Sequence, residues 1–208
     1  WHRERPGRTD PFDWKAAEWT LHVPFISALF EEFIKTSTLR PLHLKEVLDW
    51  TAAALNRVDR AEFFRHFQDE EAVQYFYEPF LQAFDPDLRK DLGVWYTPPE
   101  IVKYQVARVD TVLKEELDLP DGLADPSVVV LDPCCGTGAY LVEVLRHIGE
   151  TMKKRGGDAL SASDLKKAAM GRVFGFEILP APFVVAHLQL GLLLQRFGAP
   201  LSSDRDER

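Results

Sequence analysis

A chain of 208 residues that is 46% hydrophobic has room for one or two compact units, and its longest apolar stretches are too short or too interrupted to span a bilayer. A formal net charge of −8 argues against a chain that grips nucleic acid by itself, because duplex binding depends on Lys and Arg set against phosphates. Two adjacent cysteines and six scattered histidines give neither a disulfide framework nor metal-ligand spacing, which suits a reducing cytoplasm.

Trp1 to Asp10 is rich in Arg and has no apolar run, so no signal peptide is expected there. Residues 1–90 read as a helical amino-terminal or coupling region. Phe25, Leu29, Phe30, Phe33 and Ile34 recur at helical spacing, and Leu44, Val47, Leu48, Leu55 and Val58 do so again. Phe63, Phe64, Phe67, Val73, Phe76, Phe80 and Leu81 form a third apolar face. Pro41 and the polar Thr36-Ser37-Thr38 run divide the first helix from the second, and Asn56 to Asp59 divides the second from the third. The aromatic pairs in this region fit core better than a base-stacking platform, because they keep helical spacing.

Residues 91–208 read as an α/β unit. Thr97, Pro98 and Pro99 suit a helix start, with Thr97 as N-cap, and the helix is expected over Glu100 to Leu117. The Trp95-Tyr96 pair before it is not explained by a helix start alone. Leu119 to Pro126 is expected as a turn-rich linker. Val128 to Leu131 is expected as a buried strand of a parallel sheet, ending in Asp132-Pro133-Cys134-Cys135-Gly136-Thr137-Gly138 and opening into a helix to about Lys154. Gly156-Gly157 breaks that helix, and a short helix begins at Ser161 or Ser163. Gly171 to Ile178 is a second strand ending in Glu177. Pro180 and Pro182 are expected as a turn before a helix over Phe183 to Arg196, which leads to a charged tail.

Glycines at the carboxyl end of a strand let a ligand approach the backbone, and in open α/β sheets that edge is the ligand side. A dinucleotide fingerprint needs Gly or Ala where this chain has Leu141, and a phosphate loop needs a lysine that does not follow Gly138. An Asp-Pro before the glycines suits a ligand with a positive amino group and no pyrophosphate, such as S-adenosyl-L-methionine; a plain turn without a ligand is the alternative. Glu177, 45 residues after Asp132, is placed to accept both hydroxyls of a ribose. Cys134 and Cys135 read as small buried residues.

Together, Tyr-Thr-Pro-Pro-Glu, Leu-Asp-Pro-x-x-Gly-Thr-Gly and Gly-Phe-Glu-Ile resemble the cofactor motifs of adenine-N6 DNA methyltransferases of bacterial restriction-modification systems. The stretch Tyr75 to Leu92 resembles the lead-in of large single-chain enzymes that fuse a nuclease or helicase to such a methylase. The resemblance implies a Rossmann-like class I methyltransferase fold, incomplete here, preceded by an α-helical segment. It implies S-adenosyl-L-methionine as cofactor, with Val94, Trp95, Tyr96, Thr97, Pro98 and Pro99 closing over its methionine end. Asp132, Pro133, Cys134, Cys135, Gly136, Thr137 and Gly138 would line the amino-acid and ribose portions. Glu177 would hold the ribose hydroxyls and Ile178 would pack on the adenine. DNA would be bound through the full-length parent protein, with target-recognition and nuclease or helicase domains beyond this chain.

The family's Asn or Asp, Pro, Pro, aromatic motif, which holds the flipped base, is absent: the one Pro-Pro pair, Pro98-Pro99, lies between Thr97 and Glu100. No catalytic or metal-binding residue is therefore assigned. With Trp1 in place of a methionine, the chain reads as a fragment that binds cofactor weakly or not at all and does not methylate DNA alone. Two rivals stand beside this reading: a methyltransferase acting on RNA or protein, and a non-catalytic module that couples domains or binds a partner.

Overall fold

Apolar residues four apart build the first unit of the computed structural model, which describes residues 10–16, 24–66, 83, 97–156 and 158–201. The chain divides into two units, Trp1–Gln68 (with Arg208) and Asp69–Glu207. Four helices are described in the first: α1 (Pro24–Ile34), α2 (Thr36–Leu39), α3 (Leu44–Leu55) and α4 (Arg60–His66). Leu44, Leu48 and Ala52 share one face of α3, and with Leu39, Ile34 and Phe12 they enclose the buried Trp14 ring. The indole N–H of Trp14 donates to Asp49 at 2.8 Å, so the ring's single polar atom is satisfied.

Three expectations change in this unit. Thr36-Ser37-Thr38 opens the one-turn helix α2 and is not a loop. Val47, Leu55 and Val58 are exposed, because the buried face runs through residues 44, 48 and 52 and leaves Val47 on the other side. Phe33 and Phe63 are also exposed. The Phe67 to Leu81 part of the third apolar face, the Tyr75 to Leu92 lead-in apart from Ala83, and the Ser202 to Arg208 tail lie outside the described residues.

The second unit runs α5 (Pro99–Glu115), a 3-10 turn (Gly122–Ala124), β1 (Val130–Asp132), α6 (Ala139–Gly156), α7 (Asp158–Gly171), β2 (Val173–Gly175) and α8 (Pro180–Arg196). β1 and β2 pair in parallel, with Val130 opposite Val173, Leu131 opposite Phe174 and Asp132 opposite Gly175. Parallel neighbours need a long crossover, and α6 and α7 supply it. The core gathers Val102 and Val106 of α5, Leu145 and Ile148 of α6, Leu165 and Ala168 of α7, and Leu193 and Leu194 of α8 around Leu123.

The strands are not buried on both faces as expected. Leu131 is 55% exposed and Phe176 63%, and Val129 and Phe174 are exposed beside them. Alternation puts these residues on the face away from the core cluster, while Val128, Val130 and Val173 pack against it.

Proline chemistry moves two helix starts. Pro98 precedes Pro99, which pushes it to extended backbone (φ −54°, ψ 136°), so α5 cannot begin earlier. Pro98 thus takes the cap position expected of Thr97, and no side chain caps the helix. Pro180 and Pro182 lie within the first turn of α8 and do not form a turn before it, since N–H groups there have no intrahelical partner to lose. After Gly156, α7 begins at Asp158, earlier than either serine, and runs to Gly171. The Leu119 to Pro126 linker holds the buried turn Gly122-Leu123-Ala124.

Candidate functional site

Past the last strand pair, the backbone keeps the two segments together. The Phe176 N–H donates to the Asp132 carbonyl at 2.9 Å, and the Cys135 N–H donates to the Phe176 carbonyl at 2.9 Å. The glycine turn after β1 and the Glu177 segment after β2 therefore lie side by side at one edge of the sheet. That is the carboxyl edge, as the sequence places it.

Two glycines shape the turn in different ways. Gly138 has φ +87°, and a Cβ there would meet the Ala186 backbone of α8 at 3.2 Å, so the turn is pressed against a helix. Gly136 has φ +54° and, among the described residues, no atom within 4 Å of where its Cβ would stand. The turn is thus closed on the α8 side and open at Gly136.

Two carboxylates lie beside the turn. Asp132 Oδ1 accepts the Cys134 N–H at 3.2 Å, which holds the turn, and Glu177 Oε1 accepts the Leu179 N–H at 2.7 Å just before α8. Both act on the half-buried Cys135: burial first, then the charges of Asp132 and Glu177, push its thiol up to about 11. A carboxylate has four acceptor sites, so each retains capacity for a donor from a ligand.

Of the other expected site residues, Pro133 is exposed, Thr137 is half-buried and Ile178 is 93% exposed. Cys134 is exposed and Cys135 half-buried, both as free thiols, which corrects their reading as a buried pair. The turn sends their side chains to different surroundings, with only Cys135 lying against Gly175. Thr97 and Pro99 are half-buried and Pro98 is exposed. Val94, Trp95 and Tyr96 lie outside the described residues. From α5, contact with the region of the turn comes through Gln105, whose side chain accepts a hydrogen bond from Tyr140 in the first turn of α6.

Sequence reasoning missed Gln189. It is buried on α8, and its Nε2 donates to the Thr137 carbonyl at 2.8 Å. Its position in an apolar helix, four residues from no charge and in phase with Pro182 and Ala186, was the available signal. Arg172, buried just before β2, was missed in the same way.

The family model described as N-6 DNA Methylase matches residues 68–193. The chain belongs to the N-6 DNA methylase family. Among solved structures, this N-6 DNA methylase chain is similar in fold to part of the DrdV–DNA complex (TM-score 0.58, 21% identity, 89% of this chain and 18% of that one). It is similar to part of the ATP-dependent Type ISP restriction-modification enzyme LlaBIII bound to DNA (0.58, 23%, covering 91% and 13%). A third likeness is to a nuclease-deletion mutant of the Type ISP enzyme LlaGI in complex with a DNA substrate mimic (0.55, 21%, covering 89% and 15%). The N-6 DNA methylase chain thus spans under a fifth of the length of each of these relatives. No curated protein matches it. No helix among the described residues is long and apolar enough to cross a membrane.

Proposed function

We propose that this chain carries the S-adenosyl-L-methionine site of an adenine-N6 DNA methyltransferase belonging to a restriction-modification enzyme of the cytoplasm. The observation that carries the reading is the pairing of Asp132 and Glu177 around an open glycine turn, both charges reaching Cys135. An edge bordered by two carboxylates favours a cationic ligand and disfavours a pyrophosphate. The residues fit the cofactor: the backbone at Gly136 is uncovered among the described residues, and the two carboxylates act on Cys135, its neighbour in the turn.

In this reading Asp132 receives the methionine ammonium, directly or through water, and the Pro133 to Gly138 backbone lies along the sugar and methionine chain. Glu177 accepts the ribose hydroxyls, and the bare side chain of Ile178 covers the adenine. Thr97, Pro98 and Pro99, with Val94, Trp95 and Tyr96, close over the methionine end. When bound, the cofactor supplies an electrophilic methyl group on a sulfonium. The two cysteines take no nucleophilic part, since adenine-N6 transfer needs no covalent enzyme intermediate and Cys135 is held as a neutral thiol.

The layer of helices against a parallel strand pair supports a Rossmann-like class I methyltransferase unit over residues 91–208, with residues 1–90 as a coupling region. The three structural relatives are DrdV in complex with DNA and two Type ISP restriction-modification enzymes, one bound to DNA and one to a DNA substrate mimic, and DNA is the substrate proposed for the enzyme that carries this chain. The base-holding motif is absent from the sequence, and the proposal is that this chain alone transfers no methyl group and binds the donor weakly or not at all.

Ultraviolet crosslinking with isotopically labelled S-adenosylmethionine, followed by peptide mapping, tests the assignment. Label is expected in the peptides holding residues 132–141 and 176–180. Label confined to the helical first unit contradicts it.

A further inference from the structure

Arg172 stands between α7 and β2 with its side chain buried. Nη1 donates to the Leu123 carbonyl at 2.9 Å and to the Val128 carbonyl at 3.1 Å, and Nη2 to the Ala124 carbonyl at 3.3 Å. Its own carbonyl accepts the Val130 N–H at 2.8 Å, the first rung of the strand pair. Among the described residues it forms no ion pair with a carboxylate. A buried guanidinium whose hydrogen bonds go to carbonyls is costly to desolvate; the Asp125 carboxylate favours its charge, but burial outweighs that and pulls its pKa down. A planar fork of five donors serves geometry better than a point charge would.

The same turn is gripped from its other side. Asp110 of α5 accepts the Leu123 N–H at 2.9 Å and pairs with Lys114 at 2.6 Å and with His147 at 3.0 Å. A Cβ on Gly122 would stand 2.0 Å from Asp110 Oδ1, so this approach requires glycine. The peptide before β1 is thereby clamped between α5 and the residue that starts β2.

A pair of three-residue strands is weakly specified, and a slip of one residue moves a strand tip by about 3.3 Å and reverses its faces. We propose that Arg172 is a positioning residue for the candidate site: by tying Leu123, Ala124 and Val128 to the start of β2, it fixes the register that brings Asp132 and Glu177 to one edge. Arg172 lies at the amino-terminal end of the strands and the two carboxylates at the other, so it acts through register and touches no ligand. The inference rests on the cofactor reading for its consequence, although the register itself is observable without cofactor.

The test compares Arg172→Lys and Arg172→Met with Glu177→Gln in the full chain, using amide hydrogen exchange and ligand-observed magnetic resonance with S-adenosylmethionine, well below each variant's Tm. Arg172→Lys keeps the charge and stem, so it stays informative if Arg172→Met does not fold. Both Arg172 variants are expected to speed exchange at the Val130 and Phe176 amides and weaken cofactor binding by about tenfold, as expected for one or two lost hydrogen bonds. Glu177→Gln is expected to weaken binding with those amides unchanged. A lower Tm for Arg172→Lys with unchanged amide protection and unchanged affinity overturns the proposal, since that is the signature of a purely structural residue. Faster exchange in the Arg172 variants, with no cofactor signal from any protein, upholds the register assignment and fails the cofactor reading.

Discussion

The Gln189 side chain donates to the Thr137 carbonyl at 2.8 Å, joining the middle of α8 to the glycine turn across 52 residues of sequence. Together with the contact of Gly138 on Ala186, this makes α8 the back wall of the turn. Gln189→Leu leaves a carbonyl without its partner in a closed setting and is expected to cost about 1–3 kcal/mol in urea unfolding. An unchanged midpoint would mean that the bond does not hold the turn.

The two positive-φ glycines of the turn should respond differently to the same substitution. Gly138→Ala places a methyl against the Ala186 backbone on top of a strained φ, so a loss of about 2–4 kcal/mol is expected. Gly136→Ala meets nothing among the described residues and should cost only the backbone strain, about 1–2 kcal/mol. Its methyl enters the open side of the turn, so cofactor binding should fall further than stability does. Paired denaturation and binding measurements check this, and equal stability losses at the two positions would count against the described packing.

The vicinal cysteines should differ in reactivity. With its thiol pushed up to about 11, Cys135 presents only about a thousandth of its population as thiolate at pH 8, whereas Cys134 is exposed. Mass spectrometry after brief iodoacetamide treatment at pH 8 should show one fast site, Cys134, and S-adenosylmethionine should slow it. The raised value also gives a sign for alkaline stability. The contribution is intact below the thiol's unfolded value and is lost as pH rises through about 11, so Cys135→Ala should flatten that part of the profile. Fast labelling of both cysteines would refute the described burial.

Asp110 gives the opposite sign. Burial raises its carboxyl, but the Lys114 ammonium, the Leu123 N–H and His147 outweigh it and hold the group below the usual carboxylate range. Its stabilisation is therefore present above the unfolded carboxylate value and is lost as pH falls through the lower folded one. Asp110→Asn should lose about 1.5–3 kcal/mol at neutral pH and show a shallower acid transition in that window. An identical acid transition in the variant would remove Asp110 from the clamp.

The local structure around the candidate site was legible in the sequence because its parts are local. Asp132 to Gly138 announces a strand end, a turn and a helix within a few residues, and Glu177 follows a second strand that ends at Gly175. What the sequence hid is what depends on distant packing. Leu123 sits in a stretch that reads as a linker, yet it is 2% exposed and central to the core, because Asp110 and Arg172 satisfy the backbone around it. Arg172 and Gln189 looked like ordinary polar residues until the carbonyls they serve were placed. The exposed face at Leu131 and Phe176 was equally hidden, since an apolar strand reads the same whether one face or both are covered. Pro98 displaced Thr97 from the cap for a reason the sequence did contain, the restriction that Pro99 imposes on its predecessor.

Saturation-transfer magnetic resonance at millimolar S-adenosylmethionine reads out whether Asp132 and Glu177 together hold the cofactor. Weak transfer to both the adenine and the methionine protons is expected. Glu177→Ala should abolish the ribose and adenine signals, and Asp132→Ala should diminish the methionine signals. No transfer from this chain, and none from a longer polypeptide extended beyond Arg208, would contradict the cofactor reading.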